Sequence, residues 1–144
     1  MVRLGLVAAH YNKDGAVTHR MEEAARETAA DHDAEIVETI EVPGAYDTPL
    51  AADRLARRED IDAVVVIGAI VTGDTDHDQV IGQATARSLQ DVSRERDTPV
   101  MLGITGPGMS QDEAEARVSK GGEVVESAID LVDGLDDSTQ NHHH

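Results

Sequence analysis

The sequence predicts an α/β fold: a three-layer αβα sandwich in which a four-stranded parallel sheet carries helices on both faces. Two observations lead to this prediction. Short apolar segments alternate with longer segments of helical periodicity along the whole chain. One apolar segment, residues 63–70, is uninterrupted, which is typical of a central parallel strand buried on both faces. Strands that alternate with helices join through right-handed crossovers, which place helices on both faces of the sheet.

The elements follow each other strictly in the order strand, helix. Predicted strands cover residues 3–9, 34–42, 63–70 and 99–105, and predicted helices cover residues 17–31, 49–59, 79–96 and 110–132. Pro49 suits the first turn of the second helix, with Thr48 as its candidate N-cap. Loops are expected at residues 71–78 and at Gly-Pro-Gly, residues 106–108. We expect the flavodoxin-like sheet order 2-1-3-4.

Length and composition set the limits. The 144 residues fit one domain, assigned to residues 1–135, followed by a polar tail at 136–144 that is expected to be mobile. The three terminal histidines of that tail are interpreted as a purification-tag remnant. The chain lacks cysteine, which excludes disulfides, thiolate metal sites and cysteine catalysis.

The charge excludes further classes of function. With 29 acidic against 12 basic residues, the net charge is −17, which disfavours nucleic acid and anionic membranes as partners. No apolar run approaches a membrane span, and no signal segment opens the chain, so a cytoplasmic location is expected. Acidic residues accompany clear apolar periodicity and few lysines, which favours adaptation to high salt. An ordinary acidic protein is the alternative.

In an open parallel sheet, ligands bind beyond the carboxyl ends of the strands. The third such loop contains Gly73, Asp74 and Thr75 just before a helix, where amide N–H groups and the helix dipole favour an anion such as phosphate. His77 stands at the same helix start and could transfer protons near neutral pH. The alternative is a simple helix cap with His77 merely exposed. The acidic residues of this loop imitate a calcium loop only partly, because Gln79 replaces its required glycine.

The other loops offer single groups, each with a structural alternative. Asp47 could bind a polyol, or residues 42–49 could be only a tight turn. Tyr11 could stack on a ring, or pack against a neighbouring loop. Arg117 and Lys120 are isolated positive charges in an acidic stretch, and Arg117 could either complete an anion site or form a surface ion pair.

Taken in order, these motifs resemble the lumazine synthase family over about residues 3–132. The resemblance rests on Tyr11-Asn12, the stretch 42–50 (VPGAYDTPL), the stretch 68–78 (GAIVTGDTDHD) and Arg117. Residues 106–109 (GPGM) and the compact final helix resemble archaeal members, which agrees with the expected salt adaptation. The resemblance implies a transferase of riboflavin biosynthesis. It condenses 5-amino-6-(D-ribitylamino)uracil with 3,4-dihydroxy-2-butanone 4-phosphate to 6,7-dimethyl-8-ribityllumazine, phosphate and water, without metal or cofactor.

The resemblance also implies roles for individual residues. His77 matches the proton-transfer histidine. The residues that match the family's contacts to the pyrimidine and ribityl chain are Tyr11, Asn12, Ala45, Tyr46, Asp47, Ile70 and Val71. Those that match its contacts to the butanone phosphate are Gly73, Asp74, Thr75, Leu102 and Arg117, with Lys120 as a further phosphate candidate. Leu102 departs from the family, since many members have Phe there, and Thr72 stands where bacterial members often have Arg.

Family members assemble as pentamers with the active site between subunits, and some form sixty-subunit shells. A homopentamer is therefore expected, in which Leu102 and Arg117 reach the site from the neighbour. Three alternatives remain: an archaeal-type riboflavin synthase paralogue, a non-catalytic lumazine or flavin carrier, and a phosphosugar-binding domain. The riboflavin synthase would not need a phosphate site, and a carrier could dispense with His77.

Overall fold

The computed structural model describes residues 1–9, 16–44, 47–71, 77–109 and 118–141. Within them, strands β1 (Arg3–Ala9), β2 (Glu35–Val42), β3 (Ala63–Val71) and β4 (Val100–Met109) alternate with helices α1 (Ala16–Asp31), α2 (Thr48–Ala56), α3 (His77–Arg96) and α4 (Lys120–Asn141). The strands form one sheet in the order β2-β1-β3-β4, and every neighbouring pair is parallel. The predicted fold class and sheet order are confirmed.

Two core clusters lie on opposite faces of this sheet and explain the apolar run of β3. Leu6 and Val65 point to the face covered by α1 and α4, where they pack with Met21 and Val125. The alternate residues of the same strands, such as Val66, pack with α2 and α3 on the other face. Side chains alternate along a strand, so a strand covered on both faces needs apolar residues at every position.

Strand β2 forms one edge of the sheet and carries a bulge. Leu4 pairs with Ile36, but the next residue, Gly5, pairs with Glu38. Val37 is therefore an extra residue, and the exposed positions of β2 recur every third residue, at Glu35, Glu38 and Glu41. The bulge accounts for the three-residue interval between Glu35 and Glu38, where a regular strand would repeat every second residue.

Strand β4 is longer than predicted, because it continues through the expected Gly-Pro-Gly loop to Met109. The pairing passes from Ala69↔Thr105 to Val71↔Met109, so residues 106–108 lie opposite a single residue of β3. A bulge of this kind accommodates Gly and Pro inside a strand, which local turn chemistry alone does not reveal.

Both ends of helix α2 also differ from prediction. Helix α2 stops at Ala56 rather than near residue 59, where the Arg57 N–H donates to the Asp53 carbonyl and the Arg58 N–H donates to the Leu55 carbonyl. Asp47, not Thr48, occupies the N-cap position and makes no side-chain cap bond, while Thr48 is fully buried.

The final helix is shifted along the chain relative to its prediction at 110–132. Residues 110–117 lie outside the described part, a turn covers residues 118–119, and α4 then runs from Lys120 to Asn141. It continues past the predicted end because Leu135 extends its apolar stripe beyond Val132, and both residues line a recess with Pro99. In the described part of the chain, no helix is long and apolar enough to cross a membrane.

Candidate active site at the carboxyl edge of the sheet

The carboxyl ends of the strands lie side by side at one edge of the sheet. Ala9 pairs with Val42 on one side and with Gly68 on the other, and Gly68 pairs with Ile104. The connections that carry the predicted site residues all leave from this row or just beyond it. This is the position at which open parallel sheets bind ligands.

Many of the predicted site residues lie outside the described part of the chain. These are Tyr11, Asn12, Ala45, Tyr46, Gly73, Asp74, Thr75 and Arg117. The backbone around the third loop is described on both sides. Ile70 and Val71 are the last residues of β3, which ends one residue later than predicted. Helix α3 begins at His77, two residues earlier than predicted. His77 is thus placed at a helix N-terminus, as expected.

Asp47 lies in the described part of the chain. It is exposed at the start of α2, and its backbone N–H donates to the Gly44 carbonyl at 3.1 Å. Asp47 lines a groove of about 300 Å³ between β2 and α2. The groove is otherwise lined by Ile40, Val42, Pro43, Leu50, Ala51 and Arg54. A carboxylate beside an open, largely apolar groove is available to accept hydrogen bonds from a hydroxylated ligand.

The centre of the edge is held by a close approach between β1 and β3. A Cβ on Gly68 would lie 3.0 Å from the Ala9 Cβ and 3.3 Å from its carbonyl oxygen. The same carbonyl accepts a hydrogen bond of 2.9 Å from the hydroxyl of Thr18, a buried residue near the start of α1. The backbone at the end of β1 is therefore fixed from two sides.

Leu102 and Lys120 belong to opposite layers of the fold. Leu102 of β4 pairs with Val66 of β3. Its half-buried side chain packs against the core cluster of the α2–α3 face. Lys120 is the half-buried first residue of α4, which covers the other face. Within this chain the sheet therefore lies between Leu102 and Lys120.

In the described part of the chain, two carboxyl groups with a lowered pKa lie away from the candidate site, in α2 and in the connection that follows it. A hydrogen bond from Arg96 holds the pKa of Asp53 below its usual value, and this pair joins α2 to α3 at 2.7 Å. A hydrogen bond from Arg58 likewise lowers the pKa of Asp60. These ion pairs connect elements of the scaffold. Among the residues that the structure describes, no cluster of His, Asp or Glu is arranged to hold a metal ion.

Comparison with known proteins decides the family. The family model described as 6,7-dimethyl-8-ribityllumazine synthase matches residues 1–136. The chain belongs to this family. A protein of that name from Halobacterium salinarum is 67% identical over 135 residues, which cover 94% of this chain and 100% of the relative. Relatives of the same name from Halorubrum lacusprofundi and Methanopyrus kandleri are 63% and 48% identical, over 94% and 91% of this chain and 100% and 92% of their own lengths.

The resemblance drawn from the ordered motifs is thereby confirmed at the level of the family. A designed Rossmann-fold protein among the solved structures shares 22% identity and a TM-score of 0.42, over 85% of this chain and 99% of that chain. Sequence reasoning missed one residue at the site's edge, Thr18. The available signal was a hydroxyl residue three positions before the buried Met21, on the apolar side of the helix.

Proposed function

We propose that the chain condenses 5-amino-6-(D-ribitylamino)uracil with 3,4-dihydroxy-2-butanone 4-phosphate at the carboxyl edge of its sheet. The products are 6,7-dimethyl-8-ribityllumazine, one phosphate and two waters. The observation that carries this proposal is the family match over residues 1–136. That match does not favour the riboflavin synthase paralogue or the carrier.

The pyrimidine and its ribityl chain occupy the side of the edge formed by β1, β2 and β3. Tyr11 stacks on the pyrimidine, with Asn12 beside it. The backbone of Ile70 and Val71 meets the pyrimidine edge. Residues 45–47 hold the ribityl chain, with the Asp47 carboxylate accepting from its hydroxyls. The exposure of Asp47 beside the groove supports this role.

The butanone phosphate binds where β3 passes into α3. Gly73, Asp74 and Thr75 supply backbone N–H groups at the helix N-terminus, and Arg117 completes the phosphate site with charge-assisted hydrogen bonds. The position of His77 as first residue of α3 supports its place next to this phosphate. Leu102 forms the apolar wall, and Lys120 is a further phosphate ligand.

The chemistry needs no enzyme nucleophile, because the substrate amine attacks the ketone itself. Bringing the two substrates together supplies several kcal/mol of the barrier reduction. His77 moves protons as the carbinolamine loses water and phosphate departs, a contribution of about 10²–10⁴-fold. Arg117 holds the phosphate until it is expelled.

The assigned roles predict different kinetic defects. We expect His77→Ala to lower kcat by about 10²-fold or more with little change in either KM. Arg117→Ala should mainly raise the KM for the butanone phosphate. His32→Ala and Arg26→Ala are matched controls, since His32 lies just beyond the end of α1 and Arg26 lies in its second half, away from the candidate site. Wild-type kinetics in His77→Ala or Arg117→Ala would contradict the role given to that residue.

We also propose that the chain assembles as a homopentamer, with the α2–α3 layer turned toward the neighbouring subunit. Charge supports this orientation. Helices α2 and α3, here called the balanced layer, together carry four acidic and four basic residues. Helices α1 and α4, here called the acidic layer, carry ten acidic and three basic residues. The balanced layer also has the apolar groove and Leu50, which is 63% exposed. Like charges repel across an interface, so the balanced layer is the better contact surface.

In this assembly Leu102 and Arg117 reach the active site from the neighbour, so assembly and activity are linked. Leu50→Glu should therefore lower both the sedimentation coefficient and the turnover number. Leu131→Glu is the matched control, because Leu131 is an exposed leucine of the acidic layer. Equal sedimentation of Leu50→Glu and wild type would contradict the proposed orientation.

The acidic layer also supports adaptation to high salt and a cytoplasmic location rich in potassium ions. Repulsion on this layer opposes both the compact state and closure into a sixty-subunit shell at low ionic strength, and salt screens it. The enzyme is thus expected to be most active and most stable in molar KCl.

A further inference from the structure

The end of β1 and the start of α1 are tied by a buried hydrogen bond that the family assignment does not explain. The Thr18 hydroxyl donates to the Ala9 carbonyl at 2.9 Å. Thr18 is only 3% exposed and Ala9 only 1%. A hydroxyl excluded from water needs an internal partner, and this one bonds to backbone at the carboxyl edge of the sheet.

The position of this bond along the chain gives it significance. Ala9 is the last residue of β1, and Thr18 is the third residue of α1. Residues 10–15 run between these two elements, and they include Tyr11 and Asn12, which the proposed function assigns to the pyrimidine. The hydrogen bond therefore fixes the distance between the end of β1 and the start of α1, the two elements that flank this segment in the chain.

A second contact holds the same carbonyl on its other side. Gly68 of β3 approaches Ala9 so closely that a Cβ would lie 3.3 Å from the carbonyl oxygen. The end of β1 is thus fixed to β3 by packing and to α1 by the Thr18 hydroxyl. The backbone contacts proposed for Ile70 and Val71 come from the same strand, two residues and three residues beyond Gly68.

We infer that Thr18 is a positioning residue for the pyrimidine substrate: its hydroxyl fixes the end of β1, after which Tyr11 and Asn12 follow in the chain, beside Gly68 of β3. This inference rests on the proposed function. Thr18 does not touch the substrate. Its effect is confined to the affinity for the pyrimidine, since the phosphate-binding residues belong to other loops.

The test uses the full chain in about 2–3 M KCl. Thr18→Val keeps the volume and removes the hydroxyl. We expect it to raise the KM for the ribitylaminouracil roughly three- to tenfold, the range of one net hydrogen bond, with the KM for the butanone phosphate unchanged. Thr18→Ser keeps the hydroxyl and should restore the wild-type KM.

Thr98→Val is the matched control for a purely structural effect. The Thr98 hydroxyl also bonds backbone of another element, the Ala56 carbonyl at 3.3 Å, but at the opposite edge of the sheet. This variant should lose stability in urea while keeping both KM values. An equal rise of both KM values in Thr18→Val, no rise at all, or the same rise in Thr98→Val would overturn the inference.

Two further outcomes separate failures of different origin. If Thr18→Val does not fold, Thr18→Ala takes its place, and failure of both beside a folded Thr18→Ser would assign the hydroxyl to folding alone and overturn the positioning role. Absence of turnover in the folded wild type would refute the proposed function, and the role of Thr18 with it. Wild-type turnover with unchanged KM in Thr18→Val would refute only the latter.

Discussion

Helix α4 begins against α1 at two consecutive glycines, and this contact makes a sharp prediction about stability. A Cβ on Gly121 would overlap the backbone carbonyl group of Met21, a fully buried residue. A Cβ on Gly134, in the same helix, would meet no atom within 4 Å. The same substitution, Gly→Ala, therefore tests close packing at one position and helix propensity alone at the other.

The magnitudes follow from these two environments. Alanine is favoured over glycine inside a helix by ~1 kcal/mol, so Gly134→Ala should stabilise the protein by ~0.5–1 kcal/mol. Overpacking costs ~1–3 kcal/mol. We take the upper end for Gly121, because the Met21 carbonyl group belongs to the backbone of α1 and, unlike a side chain, cannot change its rotamer to make room. After the gain in propensity, Gly121→Ala should destabilise by ~2 kcal/mol, leaving the two variants ~3 kcal/mol apart.

The assay is urea unfolding in molar KCl, followed by far-UV circular dichroism at one fixed protein concentration, since the stability of the proposed pentamer would depend on concentration. Gly122→Ala adds an internal comparison. Its Cβ would lie 2.6 Å from the Thr28 hydroxyl, which can rotate, so its loss should be smaller than that of Gly121→Ala. The packing argument fails if Gly121→Ala is as stable as Gly134→Ala.

Three further predictions follow from charges. Ionised Asp53 is stabilised by Arg96, and its lowered pKa means that this contribution is present above about pH 4 and is lost as the pH falls below it. A double-mutant cycle with Asp53→Asn and Arg96→Gln should give a favourable coupling at pH 7 that decreases as the pH falls below about 4; a coupling that does not change with pH would exclude this origin. Asp97 combines a positive φ of 52° with a negative charge just after α3, so Asp97→Asn should raise stability by ~0.3–1 kcal/mol in urea unfolding, and a loss would count against the helix-dipole argument. Far-UV circular dichroism should show full helicity in molar KCl and less in dilute buffer; full helicity in both would contradict salt adaptation.

The sequence predicted well wherever a local pattern and the tertiary structure agree. The apolar run of β3 reflects burial on both faces, and the start of α3 near His77 reflects the polar loop before it. Strand β4 was predicted too short because a Gly-Pro-Gly segment has local turn chemistry, whereas pairing with β3 keeps it in the sheet. The last residues of α4 were not predicted as helix, because they are polar and Leu135 is the one apolar residue there that continues the helical periodicity.

The candidate site divides in the same way. Chain order alone placed His77, Val71 and Asp47 near one edge, because every parallel strand ends there. Which layer a residue faces depends on register and crossover, which is why the separation of Leu102 from Lys120 emerged only from the fold. The hydrogen bond of Thr18 was also out of reach, since it depends on how α1 lies over β1.

The central claim is that this chain forms the lumazine by joining two substrates and expelling phosphate. The most direct measurement is turnover with both substrates in about 2–3 M KCl, following the absorbance of the lumazine and the released phosphate in the same sample. The account predicts that the two signals appear together in equal amounts. Folded protein that releases no phosphate, or releases it without forming the lumazine, would contradict it.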